Sequence, residues 1–242
     1  MDDIQNNFVK LLKENNIALS IEQLNQFELY YKTLVEWNEK MNLTAITERE
    51  QVYMKHFYDS LSLSFYFPMG QVSSLADIGS GAGFPSIPLK IAFPHLRITI
   101  VDSLNKRILF LRELVSSLGL KDTECVHGRA EDISRLSTYR DSFDLVTARA
   151  VARLSVLNEF CLPFAKKGGA FIAMKGSEID EELVESSYSL SELRGKLIKV
   201  NRMQLPIEDS IRHFVQIEKV APTPAKYPRK AGLPLKSPLV KI

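Results

Sequence analysis

An α/β fold is predicted: an open, mostly parallel sheet of seven strands behind an N-terminal helical extension. Three features of the sequence predict it. From residue 70 onward, short apolar runs alternate with helical stretches of about 12 to 15 residues, the pattern of repeated strand-helix units. The first 68 residues carry only the helical apolar period. One strand ends in three alternating glycines, Gly79, Gly81 and Gly83, at a helix entry, which is where open sheets of this kind bind ligands.

The elements follow in order. Ile4, Phe8, Leu11 and Leu12 recur at helical spacing between Ile4 and Asn16. A second helix starts at Ser20, where Gln23 completes a capping box, and a third starts at Thr47 with Glu50 as capping partner and runs to Phe67, before Pro68. Strands are expected at Leu75–Ile78, Arg97–Asp102, Thr123–Val126, Phe143–Thr147 and Ala170–Met174. Helices are expected at Asn105–Leu118, at Leu154–Phe164 ahead of a Gly168-Gly169 turn, and at Glu178–Leu193. Leu197–Leu205 and Ile211–Val220 alternate as two strands joined by a loop holding Pro206 and Asp209, expected to pair antiparallel at a sheet edge. Five prolines between Pro222 and Pro238 argue against a helix or a central strand in the remainder. The resulting organisation is 1–68 helical extension, 69–220 α/β domain and 221–242 basic, proline-rich tail packed on or extending from that domain.

The composition of the 242 residues, 45% hydrophobic and 25% charged, excludes collagenous, coiled-coil and wholly disordered classes. No stretch approaches the roughly 18 apolar residues of a membrane span, and the start is acidic and polar, so a cytoplasmic protein is expected. Cys125 and Cys161 form no C-x-x-C, and His56, His95, His127 and His213 lack metal-hydrolase spacing, so neither a disulfide scaffold nor a metal is expected. Residues 1–50 hold nine acids and five bases, whereas residues 219–242 hold Lys219, Lys226, Arg229, Lys230, Lys236 and Lys241 and no acid. That basic end is either a footprint for a polyanion or a solvated tail.

The informative segment is Asp77-Ile78-Gly79-Ser80-Gly81-Ala82-Gly83-Phe84-Pro85. Its glycines allow a sharp turn and let a ligand approach the main chain. Phe84 stands where a nicotinamide fingerprint needs glycine, a P-loop's Lys-Ser/Thr end is missing, and Ile78 spoils a nucleophile elbow around Ser80. Asp102 ends the next strand 23 residues after Gly79. It can accept hydrogen bonds from both hydroxyls of a ribose, or it can cap the following helix.

The glycine loop with Asp102 resembles the class I methyltransferases that use S-adenosyl-L-methionine. Asn38–Thr44, His56–Leu61, Gly79–Pro88, Asp102–Arg107 and Tyr227–Gly232 together resemble the bacterial small-subunit ribosomal RNA guanine-N7 methyltransferases, the glucose-inhibited division protein B family. Phe57-Tyr58 departs from that pattern, where aliphatic residues are commoner. The resemblance implies cofactor contacts at Gly79, Phe84, Asp102, Ser103, Ala130, Glu131 and Arg149, with Ala130 and Glu131 near the adenine. It implies action on small-subunit ribosomal RNA or the 30S subunit; a monomer is expected.

The alternatives for the methylated atom narrow on chemistry. Methylation of an exocyclic adenine amine usually goes with an Asn/Asp-Pro-Pro-aromatic loop, and Ala148-Arg149-Ala150-Val151 stands there instead. Pyrimidine carbon 5 requires a cysteine nucleophile, which neither cysteine's setting supplies. Guanine N7 needs no general base, so no catalytic residue is assigned; positioning and exclusion of water suffice. Phe84 either stacks on an extruded base or packs on the sheet. Lys226, Arg229 and Lys230 are the candidates for phosphate contacts, and His56 with Asp59 forms either an RNA-facing or a structural pair.

Overall fold

The computed structural model describes residues 1–149, 152–176, 178–207 and 210–241. Helix α1 (Asp3–Lys13) is capped by Asp2 and buries Phe8 and Leu12. Helix α2 (Ile21–Lys40) begins with the expected capping box, and Gln23 also reaches across to donate to the Ile91 carbonyl at 2.6 Å. The third helix departs from expectation. Its cap is Glu48, not Thr47, because one carboxylate satisfies two free amides, those of Glu50 and Gln51. It is also not continuous: α3 (Arg49–Val52) widens into a π-helical turn (Tyr53–Tyr58), followed by α4 (Asp59–Leu61) and α5 (Leu63–Tyr66). Phe67 is extended before Pro68, whose ring disfavours a helical predecessor.

Among the described residues seven strands form one sheet: β1 (Ser74–Ile78), β2 (Arg97–Asp102), β3 (Thr123–His127), β4 (Phe143–Arg149), β5 (Ala165–Lys175), β6 (Gly195–Gln204) and β7 (Ile211–Lys219). Their order is β3-β2-β1-β4-β5-β7-β6, parallel except for β7, which runs antiparallel to both neighbours. Gly168-Gly169 is a bulge rather than a turn, because the pairing passes from Phe143↔Ala165 to Leu145↔Ala170. Helices α6 (Ser86–Ala92), α7 (Asn105–Ser117), α8 (Ala130–Ile133) and α9 (Leu154–Cys161) connect the parallel strands. Pro88 fits the first turn of α6, where no amide is needed. The helix expected over Glu178–Leu193 is two, α10 (Asp180–Glu185) and α11 (Ser187–Glu192). They part at buried Ser186, whose hydroxyl and that of Ser189 bond back to main-chain carbonyls. Asp209, expected in the β6–β7 loop, lies outside the described residues.

The aromatic side chains of the N-terminal helices, Phe8, Phe27, Tyr30 and Phe57, share one core with Leu75, Ile98 and Ile100 of the sheet. Both cysteines are buried in the interior. The tail corrects two expectations. It contains a one-turn helix, α12 (Leu233–Lys236), which tolerates Pro234 because a proline in a first turn forfeits no hydrogen bond. Lys219 belongs to no exposed basic surface: its buried Nζ donates to Asp141, Thr223 and the carbonyls of Leu162 and Ala165. The chain beyond it is strapped to the domain by Arg140, which donates to the carbonyls of Thr223, Pro224 and Tyr227.

Candidate methyl-donor site

Strand order reverses between β1 and its neighbours β2 and β4, and a cavity of about 480 Å³ opens at the carboxyl edge there. That volume is in the range of small-molecule sites. The loop after β1 supplies its floor. Gly79, Gly81 and Gly83 all have positive φ, 73°, 62° and 97°. They do different work. A Cβ on Gly81 would meet nothing within 4 Å, so its backbone faces open space, whereas one on Gly83 would collide with Ile87 at 2.8 Å and the Tyr30 hydroxyl at 2.9 Å. The first exposes the main chain to a ligand; the second lets α2 and α6 close against the loop.

Asp102 ends β2 as expected and is buried. Its Oδ1 accepts from the Leu104 amide at 2.8 Å, and its Oδ2 accepts from the Gly81 amide at 3.2 Å and from Arg107 at 3.4 Å. Leu104, not Asp102, occupies the cap position of α7. The carboxylate therefore braces the glycine loop, and a carboxylate's roughly four lone-pair directions leave room for further donors. Ser103 is exposed at the rim. Ala130 and Glu131 open α8 after β3, and buried Glu131 accepts from the Gly232 amide at 2.8 Å, which brings Leu235 of the tail into the cavity wall.

Arg149 ends β4, its guanidinium 4.8 Å from the centre of the Phe84 ring. Phe84 is 4% exposed and stacks with His56 at 4.5 Å and with Tyr30 at 5.5 Å. Phe84 thus packs against the N-terminal helices and also lines the cavity. His56 and Asp59 are likewise buried. His56 meets the Thr44 hydroxyl at 2.9 Å, and Asp59 pairs with Arg149 at 3.2 Å. Burial, followed by the charge of Arg149, pushes the His56 imidazole down to about 3. It is neutral at working pH.

All seven residues expected at the cofactor, Gly79, Phe84, Asp102, Ser103, Ala130, Glu131 and Arg149, line this one cavity. Thr44, Ser80, Arg107, Arg129 and Leu235 line it as well and were not among the candidates. Thr44 was reachable only through the Asn38–Thr44 block, because its contact with His56 depends on the π-helical turn. The phosphate candidates separate. Arg229 corrects its expectation: Nε and Nη2 both grip buried Glu159, at 3.0 and 2.6 Å, because a buried carboxylate requires a partner. Lys226 pairs with Glu192 at 2.7 Å while remaining exposed, and Lys230 is exposed with no ion pair among the described residues.

Asp77, below the loop, is buried, and burial pushes its carboxyl up to about 7. An acid whose pKa is raised on folding loses stability as pH climbs from its unfolded value, roughly 3.9, through the folded one, and is level beyond. Compared with Asp77→Asn, the wild-type melting temperature is therefore expected to fall progressively between pH 5 and pH 7, with a constant gap above pH 8. A gap independent of pH would contradict the assignment.

Among solved structures, that of M. jannaschii TYW2 in complex with AdoMet is similar over 68% of this chain and 76% of its own, with a TM-score of 0.53 and 14% identity. A putative O-methyltransferase from Klebsiella pneumoniae matches over 79% and 90%, with a TM-score of 0.54 and 13% identity. At such identities the likeness shows the fold alone: a class I methyltransferase sheet with one antiparallel strand. Curated relatives are much nearer. The ribosomal RNA small subunit methyltransferase G of Brevibacillus brevis is 57% identical over 233 residues, 96% of this chain and 98% of the relative. That of Macrococcus caseolyticus is 56% identical over 97% and 98%. With residues 23–215 also matching the family model for rRNA small subunit methyltransferase G, the chain belongs to the GidB family.

Proposed function

We propose that this chain transfers a methyl group from S-adenosyl-L-methionine to N7 of one guanine in small-subunit ribosomal RNA, acting as a cytoplasmic monomer. The observation that carries the reading is the cavity, where an open glycine backbone faces a braced carboxylate in a chain of this family. The residues present fit the donor. Gly81 leaves space against its main chain, and the buried Ser80 hydroxyl and Asp77 Oδ1 have no partner among the described residues. Asp102 would hold the ribose hydroxyls, Ala130 and Glu131 would flank the adenine, and Phe84 and Arg149 would close the side that faces substrate.

When bound, S-adenosyl-L-methionine supplies a sulfonium methyl and a neutral thioether leaving group. Guanine N7 offers a lone pair with no proton to remove, so the chain's task is to place that nitrogen about 3 to 3.5 Å from the methyl carbon, in line, and to exclude water. The side chains at hand suit this task. His56 is neutral and held by Thr44, and Arg149 is fixed between Asp59 and Phe84, so both work by position rather than by proton transfer. N7 must stay free, which excludes the bidentate arginine grip on O6 and N7.

Incubation of the protein with small subunits and methyl-labelled donor tests the substrate class. Label is expected in the RNA fraction; label found only in ribosomal protein would refute the reading.

A further inference from the structure

We infer that Arg212, outside the donor cavity and joined to its wall residue Arg149 through Asp59, is a phosphate-binding residue for the substrate RNA. The inference rests on the RNA reading above and adds a contact to it.

The topology places Arg212. Strand β7 runs antiparallel, so its first residues lie at the carboxyl edge: His213 pairs with Lys175 of β5, whose Met174 pairs with Arg149. Arg212 and Arg149 thus reach the same edge from opposite strand directions. Between them lies Asp59, 1% exposed, which accepts Arg149 Nη1 on Oδ2 at 3.2 Å and Arg212 Nε on Oδ1 and Oδ2 at 3.1 and 3.2 Å.

One buried carboxylate is balanced by one guanidinium; Asp59 holds two, so among the described residues the cluster carries a surplus positive charge. Of the two guanidiniums, Arg212 is the more exposed. Arg149 lines the cavity with its side chain 16% exposed, whereas Arg212 stands outside the lining at 24%. Arg212 spends Nε on Asp59 and Nη1 on the Ile211 carbonyl at 3.0 Å, and its Nη2 has no partner among the described residues. A guanidinium fixed along one edge and open along another is pre-organised for an oxyanion, and little side-chain freedom remains to be lost on binding. Beside a cavity that must leave guanine N7 free, the accepting oxygen is a phosphate of the RNA strand rather than the base edge.

The test measures equilibrium binding of small subunits as a function of salt, and donor binding by calorimetry, for wild type, Arg212→Ala and Arg212→Lys. Arg212→Ala is expected to weaken subunit binding about tenfold and to flatten the salt slope by about 0.7 to 0.9, with donor affinity unchanged within about twofold. Arg212→Lys restores the slope but only part of the affinity, because the charge survives and the planar fork does not. Unchanged subunit binding, a weakened affinity with the wild-type slope, or a parallel loss of donor affinity would each overturn the inference. Because binding is read without turnover, a wild-type protein that binds subunits but leaves their RNA unmethylated counts against the reaction and not against this contact.

Discussion

Arg229→Ala is expected to lower folding stability by about 3 to 5 kcal/mol, the usual cost of stranding a buried charge. In melting temperature this is of the order of 10 °C for a chain of this size. Glu159 is fully buried and accepts from the Arg229 amide at 2.7 Å as well as from Nε and Nη2. The alanine variant keeps the amide and loses the guanidinium, so the buried carboxylate is left without its countercharge. Arg229→Ala with Glu159→Gln should recover part of the loss, since the second change removes the stranded charge. The functional effect follows from the tail's route. Gly232 and Leu235 lie just beyond Arg229, on Glu131 and the cavity wall, so donor affinity should fall along with stability. Thermal unfolding with and without donor checks both; a loss below about 1 kcal/mol would contradict a buried pair.

Asp102→Ala is expected to weaken donor binding about 100-fold, near 2.7 kcal/mol, the loss of charge-assisted hydrogen bonds to a ribose. The side chain has two duties, and they can be separated. It braces the Gly81 and Leu104 amides, so alanine also loosens the loop, whereas Asp102→Asn keeps an acceptor of the same shape. An intermediate affinity for Asn, measured by calorimetry where each variant remains folded, is the expected pattern. Wild-type affinity in both variants would remove Asp102 from the donor site.

What was legible in the sequence was local. The starts of β1, β2 and β4 lie within a residue or so of the apolar runs, because a parallel strand buried on both faces is written as a contiguous run, and antiparallel β7 starts where its alternation begins. The glycine loop and Asp102 were legible for the same reason, being fixed by neighbours within one strand-helix unit. The cap of α3 misled because Thr47 and Glu48 are both competent caps, and only the packed helix selects the carboxylate. Charges were the least legible. Lys219, Arg229 and Lys230 look alike in a basic stretch, yet the first is sealed in the interior, the second grips Glu159 from 70 residues away, and the third is exposed. Arg212 and Asp59 are 153 residues apart, and no spacing rule joins a strand start to a turn that follows a π-helical segment.

In the proposed reaction this cavity delivers a methyl to a ring nitrogen that needs no base. Methylation of small subunits by the purified protein, followed by borohydride and aniline treatment of the RNA, tests it most directly, because the chain breaks only at N7-methylguanine. Cleavage at a single guanine, dependent on S-adenosyl-L-methionine and lost in Asp102→Ala at the same donor concentration, is the predicted result; methylated RNA that resists cleavage would place the methyl on another atom and contradict the account.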